Sequence, residues 1–315
     1  MQRIIDGFLY EGKKSENSFN VRTFEVNGHR ELSIRRCIDW VEVCESPAYA
    51  RCGSGFQGAS TADDVAKWAA QDVLDAQKRL DHCLKASAMR AQVMCRRVIK
   101  AESFNELLTL TYRSNMTDRA TCKKHFKEWV RRMKKALGDF RYCASFEQQK
   151  RGAMHVHIAC NKLPAHAVHK NVKIKAWELG TRIWRDVIGN YQFEGPLQPA
   201  KEWPVLTNGM CFVGGKSRFG GDKRKRNMSI AKMAAYVSKY ILKDHAAVPA
   251  EKNRYSRSNG TVIPKSMVTR YDQTSMAELI GLVFELHGSD VVVSHWLDNW
   301  GDGWGLTTEP APCHI

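Results

Sequence analysis

The chain has 315 residues, and its 49 Lys and Arg against 33 Asp and Glu give a formal net charge of +16 at pH 7. With 43% hydrophobic residues it can bury a sizeable core, which excludes wholesale disorder. No apolar run approaches the ~18 residues of a membrane span, and charged residues interrupt the first segment early, so we expect a protein that is neither secreted nor inserted in a membrane. An excess of positive charge of this size indicates a polyanionic partner, a nucleic acid or an acidic membrane surface.

Ten cysteines are spread along the chain without any CxxC pair. Because no secretory signal is expected, they should be reduced thiols that fill small apolar spaces. The group of Cys37, Cys44 and Cys52 leaves a zinc site open as an alternative, although its spacing departs from the usual zinc patterns.

The first hundred residues begin with strand-like segments such as Asn20 to Val26. A Gly- and Ser-rich turn region follows at 52–60, and the sequence predicts a long helix from about Thr61. Between Lys78 and Lys100 this helix carries seven basic residues and one Asp. The pattern is typical of a cationic face or arm, and an ordinary solvated helix face is the alternative.

The middle of the chain predicts a strand, a helix, two strands and a second helix. A Thr- and Leu-rich segment forms the first strand, and apolar residues at helical spacing mark the first helix. This order is typical of an α+β fold in which helices pack on a central antiparallel sheet. The predicted elements are 104–112, 118–137, 140–148, 153–160 and 175–188, followed by helices at 229–243 and 276–287 and a strand at 291–294.

The strand at 153–160 contains two histidines at alternate positions, His155 and His157. Alternate residues of a strand share a face, so the two imidazoles lie side by side while the apolar residues between them face the helices. Glu147 stands late in the preceding strand, and the hairpin can bring its carboxylate beside them. Two imidazoles and a carboxylate suit Mn²⁺ or Mg²⁺, and the imidazoles favour the transition metal. Zinc is the competing interpretation, and polar residues on a solvated sheet face are the plainest one.

The helix at 229–243 places Tyr236, Lys239, Tyr240 and Lys243 on one face, because their spacing is i, i+3, i+4 and i+7. An apolar stripe on the opposite face satisfies the core without the tyrosines. A nearby ammonium group can help to deprotonate a phenol or stabilise charge on a phosphate, so this face is a candidate nucleophile site. Tyrosines that fill a crowded amphipathic surface are the alternative.

A basic loop precedes this helix. Between Gly214 and Lys243 nine Lys and Arg stand against one Asp, a net charge of +8. The segment Gly215-Lys216-Ser217 does not make a nucleotide-binding P-loop, because the earlier glycine of that motif is out of register.

Three motifs occur in order: Leu-Thr-Leu-Thr at 108–111, the hairpin from Glu147 to His157, and Tyr-Val-Ser-Lys-Tyr at 236–240. Together they resemble the three motifs of the HUH endonuclease superfamily, and more closely those of the rolling-circle replication initiators of small single-stranded DNA phages and related plasmids. The resemblance covers about residues 102–245. It implies a ferredoxin- or RRM-like nuclease domain at 102–246, with accessory regions at 1–101 and 247–315.

The resemblance also implies a role for each matching residue. His155 and His157 correspond to the metal-binding histidines, and Glu147 to the third ligand. Tyr236 corresponds to the nucleophile with Lys239 as its basic companion, and Tyr240 to the second tyrosine of two-tyrosine initiators. The basic residues expected to follow the DNA backbone are Lys216, Arg218, Lys223, Arg224, Lys225, Arg226 and Lys243.

The implied activity is metal-assisted transesterification on single-stranded origin DNA. A tyrosine would form a 5′-phosphotyrosine link and leave a free 3′-OH, which primes a host DNA polymerase before the ends are rejoined. We find no Walker motif, so we expect a host helicase to unwind the duplex, in the cytoplasm of a bacterial host. The alternatives are a relaxase or transposase of the same superfamily, a non-catalytic DNA-binding repressor, and a zinc hydrolase that acts on small molecules.

Overall fold

A computed structural model gives the structure of the chain. The residues that it describes are 2–5, 8–43, 62–112, 115–149, 152–169, 171–189, 210–213, 228–243, 246, 248, 253–298 and 301–311. Among these residues, no helix is both long and apolar enough to cross a membrane.

The secondary structure is α+β, as the sequence predicts. The helices are α1 (Ala62–Ala101), α2 (Arg119–Leu137), α3 (Ala176–Val187), α4 (Ile230–Lys243) and α5 (Met276–His287). The strands are β1 (Gln2–Ile5), β2 (Phe8–Val26), β3 (His29–Val43), β4 (Glu106–Thr111), β5 (Tyr142–Gln148), β6 (Met154–Cys160), β7 (His166–His169), β8 (Val172–Lys175), β9 (Met210–Val213), β10 (Tyr255–Arg257), β11 (Met267–Tyr271), β12 (Val291–Leu297) and β13 (Gly303–Glu309).

The chain divides into two compact units of opposite charge. The first unit is Met1–Leu80 with Pro264–Ile315, and the second is Asp81–Ile263. In the sequence the first unit has 13 Lys and Arg against 19 Asp and Glu, a net charge of −6. The second has 36 against 14, a net charge of +22. The chain's positive charge therefore belongs entirely to the second unit.

The first unit is built on a six-stranded antiparallel sheet in the order β1-β2-β3-β13-β12, with β11 paired to β2. The long hairpin of β2 and β3 turns at Asn27-Gly28, where both residues have positive φ, as a type I′ turn requires. Helix α5 begins at a capping box formed by Ser275 and Glu278. Its Leu279 and Val283 pack on apolar residues of the sheet, which gives this unit a core of its own.

The second unit contains a five-stranded antiparallel sheet in the order β10-β5-β6-β4-β9 and a separate hairpin of β7 and β8. Helices α2 and α3 cover one face of the larger sheet through a core rich in aromatic residues, in which Trp129 and Trp184 are fully buried. Helix α4 and the end of α1 cover part of the other face through a second, smaller cluster. The sheet is thus buried on both sides, and the second side carries the candidate site.

The signals that define α2 are local. Asp118 caps its N-terminus by accepting hydrogen bonds from the backbone N–H groups of Ala120 and Thr121, each at 3.0 Å. Gly138, with φ of 74°, ends it. The side chains predicted at helical spacing, among them Phe126, Trp129 and Met133, are the ones it buries.

Some sequence expectations concern residues that the structure does not describe or describes in part. The turn region at 52–60 and Thr61 lie outside the described residues. Of the three cysteines considered for zinc, Cys37 is a buried free thiol, while Cys44 and Cys52 lie outside the described residues.

The N-cap of α2 provides a test of this packing. We expect Asp118→Ala to lower the free energy of unfolding by about 1 kcal/mol, because two backbone N–H groups lose their acceptor. Urea denaturation followed by tryptophan fluorescence measures the change. Asp139→Ala, which removes an exposed carboxylate just beyond the C-terminal end of the same helix, should change stability by less than about 0.5 kcal/mol. Equal effects of the two substitutions would contradict the capping role.

Candidate active site

The hairpin of β5 and β6 brings three candidate ligands together. Glu147 pairs with His155 in the strand register, and Ser145 pairs with His157, so all four side chains lie on one face of the sheet. One ligand atom from each of Glu147, His155 and His157 lies within 4.8 Å of the others. The sequence prediction of a carboxylate beside two imidazoles is confirmed as a cluster that could hold a metal ion.

The carboxylate of Glu147 is the electrostatic centre of this cluster. His157 donates from Nε2 to Oε2 at 2.8 Å, and Lys243 donates from Nζ to Oε1 at 2.6 Å. Burial by itself would raise the pKa of Glu147, but these two hydrogen bonds and the accompanying charges lower it to about 2. The carboxylate is therefore ionised at neutral pH, as a metal ligand must be.

Thr109 on the neighbouring strand β4 supports the second histidine. It pairs with His157 in the register, and its Oγ1 lies 3.3 Å from His157 Nδ1. A hydrogen bond at Nδ1 orients the ring so that Nε2 faces Glu147, the arrangement that fixes many metal-binding histidines. Sequence reasoning treated Thr109 only as part of a strand. The cross-strand register that gives it this role cannot be read from the sequence without the pairing.

Helix α4 lies over the same face of the sheet. Its apolar stripe is buried as the sequence predicts, and the buried Ser145 of β5 donates from Oγ to the carbonyl oxygen of Val237 at 2.7 Å. This bond joins the strand that carries Glu147 to the middle of the helix. The face with the two tyrosines consequently turns toward the histidines rather than away from the sheet.

The two tyrosines contact His157 in different ways. The ring of Tyr240 is stacked on the imidazole, with centroids 4.1 Å apart and an interplanar angle of 11°. The ring of Tyr236 meets it edge-on, with centroids 5.5 Å apart and an angle of 86°. Tyr240 is only 7% exposed, whereas Tyr236 is partly exposed. Both predicted nucleophiles therefore stand beside the candidate ligands.

Lys239 completes this group. Its Nζ lies 4.5 Å from the ring centroid of Tyr236 and 4.7 Å from that of Tyr240, while the side chain is exposed to solvent. Burial raises the pKa of Tyr240 well above its ordinary value, and its hydrogen bond and electrostatic interaction with Tyr236 raise it further. The phenol of Tyr240 is thus held in its protonated form in the metal-free chain.

The structure places the predicted DNA-binding residues in two groups. Lys243 is described, and it lies at the end of α4 against Glu147. The remaining candidates lie outside the described residues: Lys216, Arg218, Lys223, Arg224, Lys225 and Arg226.

The donor set of the cluster fits a divalent metal ion. Two imidazole nitrogens and a carboxylate oxygen leave coordination positions for water or substrate oxygens, as an octahedral Mn²⁺ or Mg²⁺ ion requires. His157 would give up its proton on Nε2 to act as a ligand, with Thr109 available as an acceptor for a proton on Nδ1.

Comparison with known protein families gives a match over the middle of the chain. Residues 105–245, somewhat less than half of the chain, match the model of a family described as "Replication-associated protein ORF2". No curated protein and no solved structure matches. The matched segment contains the whole described site, from Thr109 to Lys243. It points to a rolling-circle replication initiator and thus to DNA as a partner.

The depressed pKa of Glu147 gives a test in the metal-free protein. Because its folded pKa of about 2 lies below the ordinary 4.5, the ionised carboxylate stabilises the fold above about pH 4.5 and loses this contribution as the pH falls toward 2. With a chelator present, the Tm of the wild type should exceed that of Glu147→Gln at pH 6, and the difference should shrink toward pH 2. Asp139→Asn should show no such trend. A constant difference between wild type and Glu147→Gln would contradict the ion-pair assignment.

Proposed function

We propose that this chain is a replication initiation protein of the HUH superfamily, from a single-stranded DNA phage or a plasmid, that nicks and rejoins single-stranded DNA at an origin. It acts in the cytoplasm of a bacterial host by tyrosine transesterification. One observation carries the proposal: the rings of Tyr236 and Tyr240 both contact His157, which belongs to the candidate metal cluster. Tyrosines placed for core packing alone have no need of a neighbouring set of metal ligands.

The chemistry exchanges one phosphodiester for another. A tyrosine Oη attacks the scissile phosphorus in line, a new Oη–P bond forms, and the P–O3′ bond breaks. The phenol loses its proton and the departing 3′ oxygen gains one, which leaves a 5′-phosphotyrosine and a free 3′-OH. The bond energy is conserved, so the same 3′-OH can later reverse the step and rejoin the strand.

The residues around the phosphate have separable roles. Glu147, His155 and His157 would hold a divalent ion, Mn²⁺ or Mg²⁺, which when bound supplies positive charge at the non-bridging phosphate oxygens. Lys239, whose exposed ammonium group lies over both phenol rings, stabilises the phenolate as it forms and the phosphate beside it. Thr109 keeps the imidazole of His157 in the orientation that ligation needs.

The geometry also supports an order for the two tyrosines. An attacking phenol must point at a phosphate that arrives from solvent, and Tyr236 is partly exposed at the edge of His157. Tyr240 is stacked flat on the imidazole and is nearly buried. Tyr236 therefore attacks first, and Tyr240 serves the second cleavage, after the first strand has been joined to its neighbour.

The charge of the second unit suits the proposed substrate. Its net charge of +22 provides many cations for a sugar-phosphate backbone, and the loop at 216–226 is the part of this charge nearest in sequence to the tyrosine helix. The free 3′-OH primes a host polymerase, and a host helicase opens the duplex ahead of it.

A covalent adduct is the direct test. The chain is incubated with a randomised single-stranded DNA library and Mn²⁺, denatured, and examined for DNA that remains attached. We expect an adduct that disappears in Tyr236→Phe/Tyr240→Phe and when the metal is chelated. Sequencing the attached strands gives the cleavage site.

Tyr142→Phe is the control for this assay, because Tyr142 lies on the opposite face of the sheet in the aromatic core. It should leave the adduct yield unchanged. DNA binding without an adduct in Mn²⁺ or Mg²⁺ would favour a repressor, and hydrolysis of small molecules that survives both tyrosine substitutions would favour a zinc hydrolase. Relaxase and transposase activity would give the adduct but not the release of circular product.

The order of the tyrosines has its own test. On a first encounter with DNA, Tyr236→Phe should lower the adduct yield about tenfold or more, whereas Tyr240→Phe should leave most of it, because Tyr236 is the more accessible phenol. Mass spectrometry of the digested adduct identifies the modified residue. An adduct mainly on Tyr240 of the wild type would contradict this order.

A further inference from the structure

We propose that Lys243 occupies the cation position of the site in the metal-free chain, and that metal binding displaces its ammonium group from Glu147. The inference rests on the metal site of the proposed function and adds a residue to it. It concerns how the chain holds its own ligands before the metal arrives.

The carboxylate of Glu147 has both oxygens engaged before any metal binds. Oε1 accepts from Lys243 at 2.6 Å, and Oε2 accepts from His157 at 2.8 Å. Glu147 is only 8% exposed, and a buried carboxylate without a compensating cation is strongly unfavourable. Lys243 supplies that cation, so the metal-free site can stay folded around an ionised ligand.

A divalent ion and the ammonium group compete for the same carboxylate. An ammonium group has three N–H donors and no lone pair, so it cannot become a ligand. A cation of charge +2 bound to Glu147 would stand within a few ångströms of Lys243 Nζ, and like charges at that distance repel. Only one of the two cations is needed to compensate the carboxylate. The metal, which also binds the imidazoles, is the one with additional ligands in the cluster.

Lys243 is built to leave. It is the last residue of α4, and its side chain is 48% exposed, compared with 11% for the Glu147 side chain. A flexible four-carbon stem can swing into water at little cost in buried surface. The ammonium group then remains tethered within one turn of Tyr240 on the tyrosine face of the helix, where the scissile phosphate is expected.

The exchange predicts a change in metal affinity that does not depend on DNA. The full chain and its variants are titrated with Mn²⁺, and free Mn²⁺ is followed by electron paramagnetic resonance. We expect Lys243→Met to bind Mn²⁺ about tenfold more tightly than the wild type, because no ion pair has to be broken. Lys232→Met removes the same charge from an exposed position in the first turn of the same helix and should leave the affinity near that of the wild type.

Two further measurements keep the test independent of the folding of one variant. Lys243→Gln, which keeps a donor for Oε1 but no charge, should also bind Mn²⁺ more tightly than the wild type. In the wild type itself, acetylation of Lys243 by an amine-reactive reagent should increase when Mn²⁺ is added, while acetylation of Lys232 should not. Mass spectrometry of the digested chain measures both.

Unchanged or weaker Mn²⁺ binding in the two Lys243 variants, or unchanged labelling of Lys243, would overturn the proposal and would mean that Lys243 stays on Glu147 as a support. Absence of Mn²⁺ binding in the wild type would overturn it together with the metal site. If Mn²⁺ binds as expected but no DNA adduct forms, the nuclease proposal fails while the exchange stands.

Discussion

The alternation of side chains along β6 is the constraint on which both the core and the site depend. Val156 and Ile158 are fully buried on one face of the sheet among the residues of α2 and α3, and this burial sets the register of the strand. The same register turns His155 and His157 to the other face. A slip by one residue would bury the imidazoles among aromatic rings and expose the apolar residues. The hydrophobic effect therefore fixes the positions of the candidate ligands.

Helix α4 has to satisfy two demands with one surface. It packs on the sheet through buried residues such as Val237, and it also presents its tyrosines to His157. Tyr240 is consequently both a packed residue and a proposed nucleophile. Its stacking holds the ring in place, and the same burial raises its pKa and limits its access to solvent. Tyr236, one turn earlier, is held less tightly and is more accessible.

Local signals allowed much of the second unit to be predicted, and long-range contacts explain what was missed. The cap at Asp118, the periodicity of α2 and the alternation of β6 are encoded within a few residues. Strand β13 was read only as a Gly- and Trp-rich segment. Its Gly305 is needed because Trp296 lies so close that a Cβ would meet its Nε1 at 2.2 Å, a reason invisible in the sequence. The contact of Lys243 with Glu147 likewise depends on how α4 docks. The domain boundaries at 101 and 246 stay a prediction.

The opposite charges of the two units have a consequence for selectivity. A polycation of +22 would bind any nucleic acid tightly through counterion release, regardless of sequence. The first unit, at −6, lowers the charge of the whole chain and so weakens this indiscriminate attraction. A protein that must find one origin among many sites gains more from a smaller background of non-specific complexes than from a higher total affinity. The acidic unit can thus sharpen target choice without touching a single base.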